Sequence, residues 1–301
     1  MKLRKHRRNS TAWLAIVAVL AFSMLSPQLA TADRRVGGVE GSTDPGPGPL
    51  TPEQQASRDV RLAQVQALID QDGGGAITPD ACEPPCDSPP PTWYTLATHA
   101  RHQHRWFYCG AAVVQVVSNY TRGYTSSSTC GGDGCPAGTN AFNQHTISST
   151  WTKTDLHGQT YVSDLVAGLN GASIEPAGFI YVWWTNMSWS QFHNAIKTDT
   201  WTWGMPLAAR VDPRHTGSNY YLTSWAGEPP GDYGHYITLR GYSGSSQSTA
   251  LAYYNDSSGG HDEHDTSIGV AGSTGAFSNL SNTVFQTMVN HTTSGSYYLI
   301  W

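Results

Sequence analysis

Cys109, His235 and Asp256 are the residue types that acyl transfer requires: a thiol to attack a carbonyl carbon, an imidazole to move the proton, and a carboxylate to orient the imidazole. Cysteine arithmetic selects the first of them. Of the five cysteines, Cys82 and Cys86 lie four residues apart and Cys130 and Cys135 five, both in Gly/Pro-rich turn sequence where a local disulfide could form. Those spacings predict the bridges Cys82–Cys86 and Cys130–Cys135 and leave Cys109 unpaired. In an oxidising compartment a leftover thiol is a liability unless it is used, so Cys109 reads as a nucleophile against the plainer alternative of an inert buried cysteine.

A nucleophile of this kind also needs donors for the developing oxyanion. Gln103 lies six residues upstream, in the loop feeding the Cys109 segment, so its side-chain amide can fold back beside the Cys109 N–H. Gly110 is expected to clear space beside the approaching substrate. His99, His102 and His104 compete with His235 for the role of base, but they share the nucleophile's own loop and have no strand to fix them. His261-Asp262-Glu263-His264-Asp265 could hold a cation in principle. It lies among Gly and Ser, with no HExxH helix, and reads as a solvated loop. No metal and no cofactor is expected.

These groups must be positioned by regular elements. Cys109 opens the apolar run Cys109-Gly110-Ala111-Ala112-Val113-Val114-Gln115-Val116-Val117, which predicts a buried helix with the sulfur at its N-terminus, where the helix dipole favours a thiolate. Further helices are expected over 163–169 and 189–197, and strands over 206–211, 236–242, 250–254 and 297–301. Helices followed by strands predict an α+β domain. The turn sequence between residues 241 and 248 makes a hairpin of the middle two strands. Pairing residue 242 with 249 sets His235 directly opposite Asp256 on one face and sends Asn255, the other plausible orienting group, to the opposite face. A one-residue slip would reverse that choice.

Upstream of this domain the chain changes character twice. Lys2, Arg4, Lys5, Arg7 and Arg8 precede an apolar stretch from Ala12 to Leu25 and then Ala30-Thr31-Ala32, which reads as a secretory signal peptide over residues 1–32. The stretch is too short to favour a permanent membrane span. A secreted, extracellular chain without a membrane anchor after cleavage is therefore expected. Removing those residues takes five of the 17 Lys+Arg and none of the 22 Asp+Glu, leaving an acidic protein that disfavours nucleic acid as a partner. Residues 33–92 read as a flexible linker or pro-segment with one helix near 52–71. Thr51-Pro52-Glu53 marks its start, and Val60, Leu62, Val65, Leu68 and Ile69 supply its apolar spacing. Such a lone helix must dock to be stable, either as a pro-segment over the active site or as an appended helix or stalk. The domain proper is expected over 93–301.

The order Gln103, Trp106-Phe107-Tyr108-Cys109-Gly110-Ala111, Gly234-His235-Tyr236-Ile237 with Gly241-Tyr242, and Tyr254-Asn255-Asp256 resembles the papain-like cysteine peptidases, in the branch related to bacteriocin-processing, double-glycine-cleaving peptidases. The resemblance spans residues 95–260. It implies the papain-like fold, a catalytic Cys at a helix N-terminus packed on an antiparallel sheet, and the roles of oxyanion glutamine for Gln103, nucleophile for Cys109, base for His235 and orienting acid for Asp256. That family often has Pro where Ala111 and Ser257 stand here. The implied function is a secreted cysteine peptidase, monomeric, acting on peptide or protein substrates. The alternatives are a cell-wall amidase or muropeptide endopeptidase acting on peptidoglycan peptides with the same triad, and a papain-like binding module without activity.

Overall fold

The computed structural model describes residues 46–72, 89–105, 107–123, 143–213, 222, 225, 234–244, 249–257, 273–278 and 298–301. The signal-peptide segment, both cysteine pairs and the His261–Asp265 cluster lie outside the described residues.

Helix α1 (Pro52–Asp72) forms where Thr51 and Pro52 start it: the Gln54 N–H reaches the Thr51 hydroxyl at 3.3 Å and the Thr51 N–H reaches the Gln54 side chain at 3.0 Å. The apolar stripe the spacing predicts is buried in part: Val65 joins the core and Leu62 and Ile69 pack against it. Val60 is exposed, and the buried positions are Ser57, Arg61, Gln64 and Val65, one helical stripe that is mostly polar. Arg61 is fully buried. Its guanidinium pairs with the Asp199 carboxylate at 3.2 Å, donates to the Ile180 carbonyl at 2.7 Å, and lies 4.4 Å from the Phe179 ring and 4.7 Å from that of Trp301. The Ile180 N–H donates to Ser57 Oγ at 3.0 Å, and the Trp203 indole donates to the Gln64 side chain at 3.0 Å. Thus α1 docks through charge and hydrogen bonds to the domain as well as through the apolar contacts of Val65, Leu62 and Ile69.

The remaining elements are β1 (Trp93–Thr95), α2 (Cys109–Thr121), the short α3 (Gln144–Thr146) running into a π-helical turn at Ile147–Trp151, α4 (Thr154–His157), α5 (Val162–Ala172), β2 (Trp183–Trp184), α6 (Trp189–Lys197) with a second π-helical turn at Thr198–Thr202, then β3 (Leu207–Val211), β4 (His235–Ser243), β5 (Leu251–Asp256), β6 (Ser273–Ser278) and β7 (Leu299–Ile300). Mixed helices on an antiparallel sheet make this an α+β domain. The sheet runs β2-β7-β3-β4-β5-β6, with β1 pairing the far half of β4. One face of β3 and β4, carrying Leu207, Ala209, Ile237 and Leu239, packs on Phe192 and Ile196 of α6. The other, carrying Ala208 and Tyr236, packs on Val113, Val114 and Val117 of α2 and on Leu165 and Leu169 of α5. Ser188 caps α6 with a reciprocal bond to Gln191, which fixes where that helix begins.

The β4–β5 register corrects the sequence expectation. Tyr242 pairs with Ala252 rather than with residue 249, and past an irregularity between Leu239 and Gly241 the pairing becomes Leu239 with Tyr254 and Ile237 with Asp256. Asp256 is therefore opposite Ile237, not His235. At the turn end the strands are offset by three residues from the expected pairing, which alone would flip every side chain; the bulge at Arg240 takes up one residue and leaves an even offset. His235 and Asp256 consequently share a face as diagonal neighbours. Where β4 bends, Gly241 has no alternative, because a Cβ there would stand 2.2 Å from the Tyr94 carbonyl oxygen.

Candidate active site

Helix α2 buries every residue from Cys109 to Asn119, as the apolar run demands. Its first residue is the free thiol, which is buried. Tyr108 occupies the N-cap position and makes no side-chain capping bond, and the first turn carries no acid. The opening N–H groups of a helix have no intrahelical acceptors, so the sulfur sits beside donors and the positive end of the dipole.

Gly110 does not clear space for a substrate, contrary to the sequence expectation. A Cβ at this position would lie 2.3 Å from Thr160 Oγ1, 2.5 Å from its Cβ and 2.6 Å from its Cγ2. Thr160 cannot yield, since its hydroxyl is hydrogen-bonded at 2.6 Å to Thr154, itself bonded at 2.7 Å to Thr152. The glycine lets the helix start pack against this threonine chain. Gly110→Ala is expected to destabilise the fold by about 1–3 kcal/mol through overpacking. Chemical denaturation measures this, and the added change Thr160→Gly should recover part of the loss.

His235 is the first residue of β4 and is fully buried, as is Asp256 at the end of β5. The imidazole Nε2–H donates to Asp256 Oδ1 at 2.7 Å. Reaching across the diagonal of the two strands, the longer His side chain closes a distance that two short ones could not. The other ring nitrogen, Nδ1, is buried and makes no hydrogen bond of its own. The Cys109 thiol lies near enough to His235 to act on the imidazole by hydrogen bonding and by charge. Burial pushes the imidazole down, but the Asp256 charge and hydrogen bond, with the contribution of Cys109, outweigh it and carry the pKa from its ordinary 6.5 to about 10. The ring is thus held protonated through neutral pH.

Trp225 completes the enclosure. Its buried indole lies 5.3 Å from the His235 ring, centroid to centroid, and covers the ion pair. This residue has no sequence signal: it falls in a Gly/Pro-rich stretch where nothing distinguishes it from the other ten tryptophans.

Gln103 is buried, and Ser257, next to Asp256, holds it twice: the Ser257 hydroxyl donates to Gln103 Oε1 at 3.1 Å, and the Gln103 N–H donates to the Ser257 carbonyl at 2.9 Å. With its oxygen engaged, the amide presents its NH2 group in another direction. Asn255 faces away from His235, donating to Thr98 Oγ1 at 2.7 Å. Of the competing histidines, His99 is exposed, His102 contacts the Gln103 carbonyl at 2.7 Å, and His104 packs edge-on to His145 at 4.6 Å. The structure therefore brings Cys109, His235 and Asp256 together and ties Gln103 to the same strand end.

No family model matches the chain, and no curated protein does. Among solved structures it is similar to the digestive procathepsin L2 proteinase from the larval midgut of Tenebrio molitor, with a TM-score of 0.34 and 10% identity over 98% of this chain and 95% of that one. Likeness at that level decides nothing about chemistry.

Proposed function

We propose that the protein is a secreted cysteine peptidase of the papain-like kind, with Cys109 as nucleophile, His235 as acid and base, Asp256 as the orienting carboxylate and Gln103 as an oxyanion donor. The observation that carries this reading is a buried imidazole with one nitrogen on a carboxylate and, within reach of the same ring, the only free thiol among the described residues. A buried titratable group shifted by a specific charge partner is the kind of group that concentrates at functional sites. Secretion rests on the N-terminal segment; no described helix is long and apolar enough to cross a membrane.

In this reading the Cys109 thiolate attacks the peptide carbonyl carbon, and the carbonyl electron pair moves onto oxygen. The Cys109 N–H and the Gln103 amide meet that charge. Collapse breaks the C–N bond, and the His235 Nδ1–H protonates the departing amine, leaving a thioester on Cys109. A water then gives its proton to Nδ1 and attacks the thioester, and a second collapse breaks the C–S bond, frees the acid and returns the thiolate beside the protonated imidazole from which the cycle began. Each step uses the imidazole nitrogen that faces the sulfur.

Incubation of native protein and Cys109→Ala with a proteome-derived peptide library and with purified peptidoglycan tests the proposal. Cleavage of library peptides by native protein and not by the variant is expected. Release of amines from peptidoglycan alone would transfer the same chemistry to cell-wall peptides, and cleavage that survives the variant would end the reading.

A further inference from the structure

The residue before the nucleophile owns half of the peptide unit whose N–H faces the oxyanion, so whatever fixes Tyr108 fixes that donor. Tyr108 has φ −91° and ψ 15°, in the sparsely populated bridge region, and this ψ sets the direction of the Cys109 N–H. No cap bond holds it there. Its N–H donates to the Arg105 carbonyl at 2.9 Å and its carbonyl accepts from the Ala112 N–H at 2.8 Å, and to these backbone bonds the far end of its side chain adds a further anchor. The fully buried Tyr108 hydroxyl donates to Asp155 Oδ1 at 2.6 Å and lies 2.9 Å from His145 Nδ1. Asp155 is fixed in turn by the Ser148 hydroxyl on Oδ2 at 2.7 Å and by the Arg105 guanidinium at 3.5 Å, which also lies 5.3 Å from the Tyr108 ring centroid. Burial and the bond to Asp155 push the phenol well above its ordinary pKa, so it remains a donor at every working pH.

We infer that Tyr108 is a positioning residue for the proposed reaction: the Asp155–Ser148–His145 anchor on its hydroxyl aims the Cys109 N–H at the oxyanion without touching the thiol–imidazole pair. The inference rests on the peptidase reading and adds to it a dependence on α4 and the Ile147–Trp151 turn, elements that carry no reacting group. It separates two properties of one cysteine. Acyl transfer forms an oxyanion and needs the aimed N–H; alkylation by iodoacetamide displaces iodide from carbon, forms no oxyanion and needs only the thiolate beside its imidazole.

The test is Tyr108→Phe, which keeps the buried ring and removes the hydroxyl, with Asp155→Asn as a second variant that keeps both shapes. Single-turnover acylation by p-nitrophenyl acetate should fall about 10- to 100-fold in Tyr108→Phe, the scale of a small misplacement of a catalytic group. The iodoacetamide rate at Cys109 should hold, and Asp155→Asn should show the same split. Native acylation in both variants, or equal loss of acylation and alkylation, would overturn the inference. Cys109→Ala run alongside keeps the two ideas apart: acylation that survives it sinks the peptidase reading, whereas native rates in Tyr108→Phe sink only the positioning role.

Discussion

Asp256→Asn is expected to lower turnover at pH 8 by about 10²–10⁴-fold, the range over which a positioned acid and base contribute. The asparagine keeps the shape and can still meet His235 Nε2, but it carries no charge. In the native protein that charge offsets the downward push of burial and holds the imidazole near 10, so at pH 8 the ring is the acid that the leaving amine requires. Without it burial prevails and the ring is neutral at pH 8. The native activity profile should accordingly lose its alkaline limb near pH 10, and the variant should lose activity from below the ordinary 6.5 upward. Stability follows the same linkage. A group whose folded pKa is raised adds stability that is fully present below the unfolded value and is lost as pH rises through the folded one. Native protein should therefore weaken between about pH 6.5 and 10 in denaturant titrations, a decline that Asp256→Asn should not show.

Arg61→Met should cost about 3–5 kcal/mol of stability, because it leaves the fully buried Asp199 carboxylate without its cation. For a domain of this size that is a fall in Tm of roughly 10 °C. The methionine also gives up the donation to the Ile180 carbonyl and the stacking on Phe179 and Trp301. The double change Arg61→Met with Asp199→Leu removes both charges and should regain most of the loss, since a buried pair replaced whole by apolar groups is often neutral or better. Recovery in the double variant would identify the stranded carboxylate, rather than lost packing of α1, as the cause. A single variant as stable as native would show that the Arg61–Asp199 pair contributes nothing to the stability of the folded domain.

These residues differ in how far their roles could be read before folding. The helix beginning at Cys109 was legible because its apolar run is unbroken and long. Strand β4 was legible from alternation and β3 and β5 as strand-like runs near it, whereas β1 and β2, of three and two residues, are too short to carry a period. The hairpin register was not legible, because a bulge at Arg240 is set by the approach of β1 to Gly241 and leaves no mark in the β4 text. His235 and Asp256 shared a face regardless, since the misreading came to an even number of residues. Gly110 looked like clearance for a ligand because its neighbour in space, Thr160, is fifty residues away in sequence. The burial of Arg61 leaves no mark in the sequence for the same reason, its partner Asp199 being 138 residues on. The Tyr108 anchor and the Trp225 cover are of this kind too: both depend on contacts between segments that no local pattern connects.

The contact between the Cys109 sulfur and the His235 ring is tested most directly by following the His235 imidazole by NMR through a pH titration, before and after blocking the thiol with methyl methanethiosulfonate. The native midpoint should lie near 10, and the block, by removing the contribution of Cys109, should move it downward while the Asp256 bond remains. A midpoint that the block leaves unmoved would show that sulfur and imidazole do not meet, and a native midpoint near the ordinary 6.5 would show that Asp256 does not hold the ring charged.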